Sequence, residues 1–409
     1  MRATGESVPS AIDGVPVAEV VMPSTPAEVA EILAEAAARG AAVVPVGGGT
    51  ALALGNPPER VDLVLATSRL TGIIDYEPTD LVLSVGAGAK LGDVRAVLAE
   101  HGQGLPLDPP GGTEATIGGL IATALAGPDR LGNGTLRDLL IGISLAHPSG
   151  TVTKAGGMVV KNVTGFDLPR VYHGSLGTLG VIVSANFKVL PVARGEATIL
   201  SPAADAAAAL AAAGRLRASR LQPVALEVCW RAGAWLTAVR LMGRPETVGR
   251  LAEEGRDLLA ADADILEASA SAAWWERYVA EQALSVGDDE VLLRAAVRPR
   301  ETADLVAGIA GGLSALGSEL AFLAASPGLG SVVVRLRFPA GDGAARLVAT
   351  WERVLGLAQQ ATILAAPPAW KAGLDVWGRE PETLAVMRAL KEQFDPGRVL
   401  NPGRFVGFI

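Results

Sequence analysis

The chain is poor in the side chains that most often carry redox or nucleophilic chemistry. Its 409 residues hold one cysteine, Cys229, and three histidines, His101, His147 and His173. A single thiol excludes a disulfide framework and a cysteine-ligated iron–sulfur cluster, which needs several thiolates, so redox work in this chain requires an organic cofactor. Basic residues are outnumbered, 35 Lys and Arg against 43 Asp and Glu for a net charge of −8. No Lys/Arg cluster offsets that balance, which argues against nucleic acid as a partner. The most apolar stretches are broken by Asp, Arg, Gly or Pro well before the roughly 18 residues of a membrane span, and the terminus MRATGESVPS has no apolar run of the signal-peptide kind. No transmembrane segment is expected. The expectation is a cytoplasmic protein, open to peripheral membrane attachment through a partner.

What the chain has in quantity is glycine, 49 residues, within a sequence that is 50% hydrophobic. That length and apolar content suffice for a large core and two or three domains. The glycines gather in three loops. The first is Pro45, Val46, Gly47, Gly48, Gly49 and Thr50, directly after the apolar run Ala41 to Val44. Consecutive glycines leave backbone N–H groups bare and tolerate positive φ, which suits a pyrophosphate cradle. No Lys-Ser or Lys-Thr follows, and the dinucleotide spacing G-x-G-x-x-G is absent, so it is neither of those phosphate motifs. A flexible strand-to-strand turn is the alternative reading.

Taken in order, a helix is predicted after Thr25, with Pro26 in its first turn and Gly40 as its stop, then strands at Ala41 to Val46 and Val61 to Ala66. A hairpin spans Gly72 to Tyr76 and Leu81 to Val85, and a helix covers Leu91 to Glu100. The second glycine stretch, LPLDPPGGTEATIGGLIATAL, holds Pro109, Pro110, Gly111, Gly112 and Thr113, and Thr116 caps a helix whose first turn contains Gly118 and Gly119. A helix N-terminus with glycines favours an anion or a flat ligand, although a glycine pair also serves tight packing against a sheet. Gly132 and Thr135 lie in the polar loop that follows. The third stretch runs from Lys161 to Ile182, KNVTGFDLPRVYHGSLGTLGVI, with Gly174, Gly177, Thr178 and Gly180 leading into Val181 and Ile182 and a strand to Leu190. Beyond Arg194, Ala-rich helices alternate with short strands in two βαββα units, a ferredoxin-like pattern without a matching sequence repeat. All seven tryptophans lie in this half, and the pair Trp274-Trp275 reads as core or interface.

PVGGGT, PGGT with TIGG, and TGFDL with GSLGTLGVI, in this order, resemble the PCMH-type (vanillyl-alcohol oxidase-like) FAD-binding domain, and FDPGRVLNPGR, Phe394 to Arg404, resembles the last segment of the same flavoprotein family. KNVTGFDL together with PVGGGT is most similar to the E-subunit family of bacterial glycolate oxidase. The resemblance implies an α+β fold: a PCMH-type domain of two α+β subdomains at 1–193, a ferredoxin-like cap at 194–372, and a tail, 373–409, returning to the FAD domain. It implies noncovalent FAD, since the GGGT loop has no His or Cys for a covalent link. Gly47 to Thr50 would hold the pyrophosphate, Gly111 to Thr113 and Thr116 to Gly119 the ribityl and phosphates, and Gly177 to Ile182 the adenosine side. Asn401 would approach the flavin ring. Pro45, Val46, Pro110, Gly132, Thr135 and Thr178 complete the expected cofactor set.

The resemblance further implies oxidation of glycolate or a similar small hydroxyacid, with electrons passing between this flavin and two partners, a catalytic flavoprotein subunit and an iron–sulfur subunit. Related 2-hydroxyacid dehydrogenases carry a late His-rich GEHG-like motif that supplies metal and base. It is missing here, and no metal is expected. A base therefore has no clear owner; His173, inside the third loop, and Tyr278 are the candidates. Arg294, Arg298, Arg300 and Arg337 are candidate carboxylate clamps, against the usual role of such arginines as solvated strand ends. Two alternatives stay open: a self-sufficient oxidase of a small 2-hydroxyacid or alcohol, and a non-catalytic assembly subunit with a vestigial flavin site.

Overall fold

A computed structural model describes residues 9–159, 166–260, 262–312, 317–338 and 342–409. The start of the KNVTGFDL run, Lys161 to Gly165, lies outside the described residues. The first layer is a three-stranded parallel sheet ordered Glu19–Val21, Leu63–Ala66, Val43–Val46. The helix Pro26–Ala38 crosses it, started by Thr25, whose side chain accepts from the Glu28 amide at 3.2 Å, and by proline in the first turn. Its buried face, Val29, Ala30, Leu33 and Ala36, shares a core with Val43, Leu63 and Leu65.

A second, antiparallel sheet has the order Val152–Gly156, Leu140–Ala146, Val181–Lys188, Val82–Gly86, Ile73–Glu77. The hairpin expected at 72–85 forms in it, and Leu140–Ala146 pairs with Val152–Gly156 in a second hairpin. The C-terminal segment comes back to the first sheet. Val43 N donates to Val399 O at 2.7 Å and Asn401 N to Val43 O at 2.9 Å, so the tail pairs in parallel beside the edge strand that leads into the GGGT loop.

Gly195 to Ala365 builds an eight-stranded sheet in which the first sequence unit gains a fourth strand, Asp264–Glu267, and the second has Gln360–Ala365, close to the strand expected at 361–365. The order is Asp264–Glu267, Gly195–Ala203, Ala234–Gly243, Ala225–Arg231, Glu319–Ser326, Ser331–Arg337, Glu290–Ala296, Gln360–Ala365. Each half follows the 4-1-3-2 order of a βαββαβ unit, and the two second strands pair edge to edge through Val228–Ala325 and Trp230–Leu323. Pairing these edges removes two exposed strand borders at once. The helices at 206–217, 245–259, 302–312 and 343–357 bury one face of the sheet in a single core. The opposite face is covered by the helix Ala268–Ala280, which sequence periodicity missed along with its preceding strand. This helix carries Trp274, Trp275 and Tyr278 onto Cys229, Phe322 and Ala324, so the tryptophan pair is core, as expected. Cys229 is fully buried, and burial pushes its thiol up to about 12.

The N-terminal half and the eight-stranded sheet, the expected cap, are joined by apolar and charged contacts. Leu54 and Leu176, with Leu125 beside them, share a cluster with Leu292, Leu364 and Ala365 of the cap, and Val333 packs against it. Arg240 of the cap reaches Asp129 Oδ2 at 2.7 Å and Glu196 at 2.9 Å.

Candidate functional site

The three glycine-rich loops converge on one cavity that opens to solvent. Pro45 to Thr50 follow the strand Val43–Val46, and the helix Ile117–Thr123 points its N-terminus at the same space. Thr116 locks the two together. Its hydroxyl accepts from Gly119 N at 3.4 Å, capping the helix, and from Gly48 N at 3.3 Å, tethering the glycine loop.

The glycines have a reason beyond leaving room for a ligand. An ideal Cβ on Gly47 would lie 2.1 Å from Thr116 Oγ1, one on Gly48 2.3 Å from Glu114 O, and one on Gly111 2.6 Å from Thr50 Oγ1. These loops touch each other backbone to side chain, and glycine is what lets them. Gly49 differs: its φ of +73° demands glycine, while a Cβ there would meet only Leu52 at 3.9 Å.

Of the expected cofactor residues, Pro45 to Thr50, Gly111, Thr116, Gly118, Gly119, Gly177, Gly180, Val181, Ile182 and Asn401 line this cavity. Pro110, Gly112, Thr113, Gly132, Thr135 and Thr178 are not among its lining residues. Gly132 faces the cap instead, its amide donating to Val224 O at 3.0 Å and its Cα leaving no room for a side chain against Val224. Thr135 starts a short helix, both its amide and hydroxyl donating to Asp138. The Thr178 hydroxyl is turned inward onto Ser175 O at 2.7 Å. Thr113 packs against Gly92. Sequence reasoning missed the apolar walls, Leu52, Leu120, Leu125 and Leu176, and Arg404. Only Arg404 had a local signal, the NPGR tail.

The tail closes the cavity. Asn401 adopts φ +46°, donates its side-chain amide to Leu176 O at 2.6 Å and leaves its buried Oδ1 without a partner among the described residues. A buried amide oxygen needs a donor, and one aimed into a cavity marks where a ligand N–H belongs. Arg404, almost fully buried, donates to Leu52 O and Leu54 O, and burial pushes it down to about 10. Lys391 fixes the approach to the tail: its ammonium reaches Asp395 at 2.6 Å, Leu400 O at 2.8 Å and Thr178 O at 2.9 Å. The arrangement offers bare amides, a helix N-terminus, apolar walls and one orphan acceptor. That combination fits a long, flat cofactor carrying a pyrophosphate and an imide N–H.

Comparison with known proteins agrees with this donor set. Residues 17–156 match the family described as FAD binding domain, and residues 377–405 match the C-terminal domain of FAD linked oxidases. The two matched segments, which hold the first two glycine loops and the tail, are thus similar to the FAD-linked oxidases. Its cofactor is FAD. Glycolate oxidase subunit GlcE of Escherichia coli K12 is 41% identical over 147 residues, 36% of this chain and 41% of that protein, so the match spans less than half of the relative. A Mycobacterium tuberculosis FAD-linked oxidoreductase is 26% identical over 94% of this chain and 90% of its own length. A solved alkyldihydroxyacetonephosphate synthase shares the fold at a TM-score of 0.67 and 17% identity, covering 94% of this chain and 75% of that one.

The expected catalytic candidates do not face the cavity in the way their roles require. His173 is half-buried, lowered by burial and by the Arg137 charge against the opposing pull of Asp138, and does not line the cavity. Tyr278 is fully buried, and its hydroxyl donates to Glu227 at 2.9 Å. His147 stacks on Phe394 and shares a 2.7 Å hydrogen bond with Thr153. Of the clamp candidates, Arg298 and Arg300 lie beside Glu301 on the surface, and Arg337 pairs with Glu290 and Asp289. Arg294 alone of the four is half-buried, on the strand that carries Leu292, and it does not line the cavity. Glu227 is the residue sequence reasoning overlooked: buried between Ser326, which donates at 2.5 Å, and Tyr278, it is pushed up to about 7 by desolvation. Among the described residues no group of three or more His, Cys, Asp or Glu is placed to hold a metal, and no helix is long and apolar enough to cross a membrane.

Proposed function

We propose that this chain is the FAD-carrying subunit of a glycolate oxidase-type assembly, acting on a small 2-hydroxyacid and exchanging electrons with partner subunits. The observation that carries the reading is the single cavity formed by all three glycine loops and the tail, in the part of the chain most similar to a glycolate oxidase subunit. Bound FAD supplies a hydride acceptor. The protein's share is positioning: amides of Gly47 and Gly49 and the helix at Thr116 take the pyrophosphate, Asn401 Oδ1 accepts from the ring imide, and Leu120, Leu125 and Leu176 exclude water. The electron exit must lie outside the chain, because its one thiol is buried and no cluster can be ligated.

The test is an anaerobic visible spectrum of the purified yellow chain, before and after glycolate, then with the partner subunits added. Bleaching that requires the partners supports the accessory role. Full turnover of glycolate by the chain alone with a dye acceptor favours the second reading, a self-sufficient oxidoreductase. Colourless protein that refuses added FAD would leave only an assembly role.

A further inference from the structure

The loop that follows the glycine cradle is gripped from two sides. Ala51 and Leu52 line the flavin cavity, and Leu54 packs with Leu292 and Leu364 of the cap. The carbonyls of Leu52 and Leu54 accept from Arg404, and those of Ala53 and Gly55 accept from Lys371 Nζ at 3.0 and 3.2 Å. Four consecutive carbonyls are shared alternately between two buried cations. A loop has no helix or sheet ladder to take up such carbonyls, so these bonds fix its shape. Gly55, at φ +99°, lies so close to the tail that a Cβ there would sit 2.7 Å from Arg404 O.

Lys371 reaches this loop from the exit of the cap. It ends the short turn Pro368–Lys371 beyond the last cap strand, and its neighbour Trp370 packs on Gly343, at the start of the cap helix Gly343–Leu357, where a Cβ would collide with the ring. The Lys371 side chain is fully buried and pairs with Asp13, whose side chain is 2% exposed. Asp13 and Gly14, at φ +50° and +84°, form the two-residue turn joining Ala11–Ile12 to Val15–Pro16, which delivers the carboxylate to Lys371, and Pro368 rests on Gly14. Hairpin, cap exit and cofactor loop therefore meet at one ammonium, although neither Asp13 nor Lys371 lines the cavity. Among the described residues Asp13 is the only carboxylate paired with Lys371, and none pairs with Arg404. Two cations and one acid leave a positive charge in excess beside the cavity that Arg404 lines, and an anionic ligand there offsets it.

We propose that Lys371 is a positioning residue for FAD: anchored by Asp13, it sets the shape of residues 51–55 at the cavity wall, so that cofactor retention and the seating of the N-terminal hairpin depend on each other. The dependence is reciprocal because one free energy couples the two events. It requires FAD as the ligand and is independent of the hydroxyacid reading above.

The experiment follows FAD release from the purified holoprotein by the rise in flavin fluorescence on dilution, and amide hydrogen exchange of residues 10–17 with and without FAD. K371M removes the clamp but buries Asp13 unpaired; the double variant D13N/K371M removes the clamp and leaves no charge behind. Both should release FAD about tenfold faster or more, because each loses charge-assisted bonds to two loop carbonyls. R298A, an exposed change, should release it as wild type. FAD should slow hairpin exchange about tenfold in the wild type, and the double variant should lose that difference. A role in charge balance alone predicts that D13N/K371M regains the wild-type release rate, and that result overturns the proposal. Hairpin exchange that is the same with and without FAD in the wild type overturns it as well. If K371M does not fold, the double variant alone decides.

Discussion

The flavin cavity and the cap face above it are built by opposite means. The cavity is made of backbone: glycine loops that fit against Thr116, Glu114 and Thr50, a helix N-terminus, and aliphatic walls. The cap face is made of side chains in buried charge networks, with Arg240, Arg335 and Glu227 each satisfied. A site built of backbone holds a large invariant cofactor, while a site built of a few side chains on strands discriminates among small ligands.

Substitutions in the two regions should separate these roles. The largest effect is expected from G48V, whose Cβ would strike Glu114 O and whose branched side chain would push apart the two loops joined at Thr116. The purified variant should lose FAD entirely, and retention of one flavin per chain would refute the cradle. K391M comes next. It leaves Asp395 buried without its cation and frees the carbonyls of Thr178 and Leu400, at a cost of about 3–5 kcal/mol in a urea melt. A loss below about 1 kcal/mol would show that the tail is held by its backbone pairing with Val43 alone.

The cap's buried acid gives a pH signature. The folded protein holds the Glu227 proton up to about 7, above the ordinary 4.5 of the unfolded chain. Stability from this group is therefore fully present below 4.5 and falls as pH rises through about 7, by on the order of 3 kcal/mol. E227Q should flatten that slope between about pH 5 and pH 8 in denaturant melts while binding FAD normally. An unchanged slope would mean Glu227 stays ionised. The smallest effect belongs to H173Q. Because His173 does not line the cavity, the variant should keep FAD affinity and flavin reduction rate within about twofold, and a large loss would return it to the site.

Much of the flavin half could be read from local sequence because its signals are local. The Thr25-Pro26 helix start, the 72–85 hairpin and the Thr116 cap are each fixed by residues within a turn or two of one another. The helix Ala268–Ala280 was missed because Trp274, Trp275 and Tyr278 bury a broad aromatic face that lacks simple apolar periodicity. Gly132 and Thr135 sit in a loop as polar as a phosphate site, yet one serves the interface and the other a helix start, and only the packing partner distinguishes these.

By itself the sequence determined the three backbone loops, the tail and the cofactor class, since glycine spacing, caps and turns act over a few residues. The tertiary structure alone decided which arginines find partners. Arg240 is paired with Asp129 and Glu196, and Arg335 with Glu290, acids that lie 44 to 111 residues away in the chain. Strand register sets the side on which each points, and burial sets what leaving one unpaired costs.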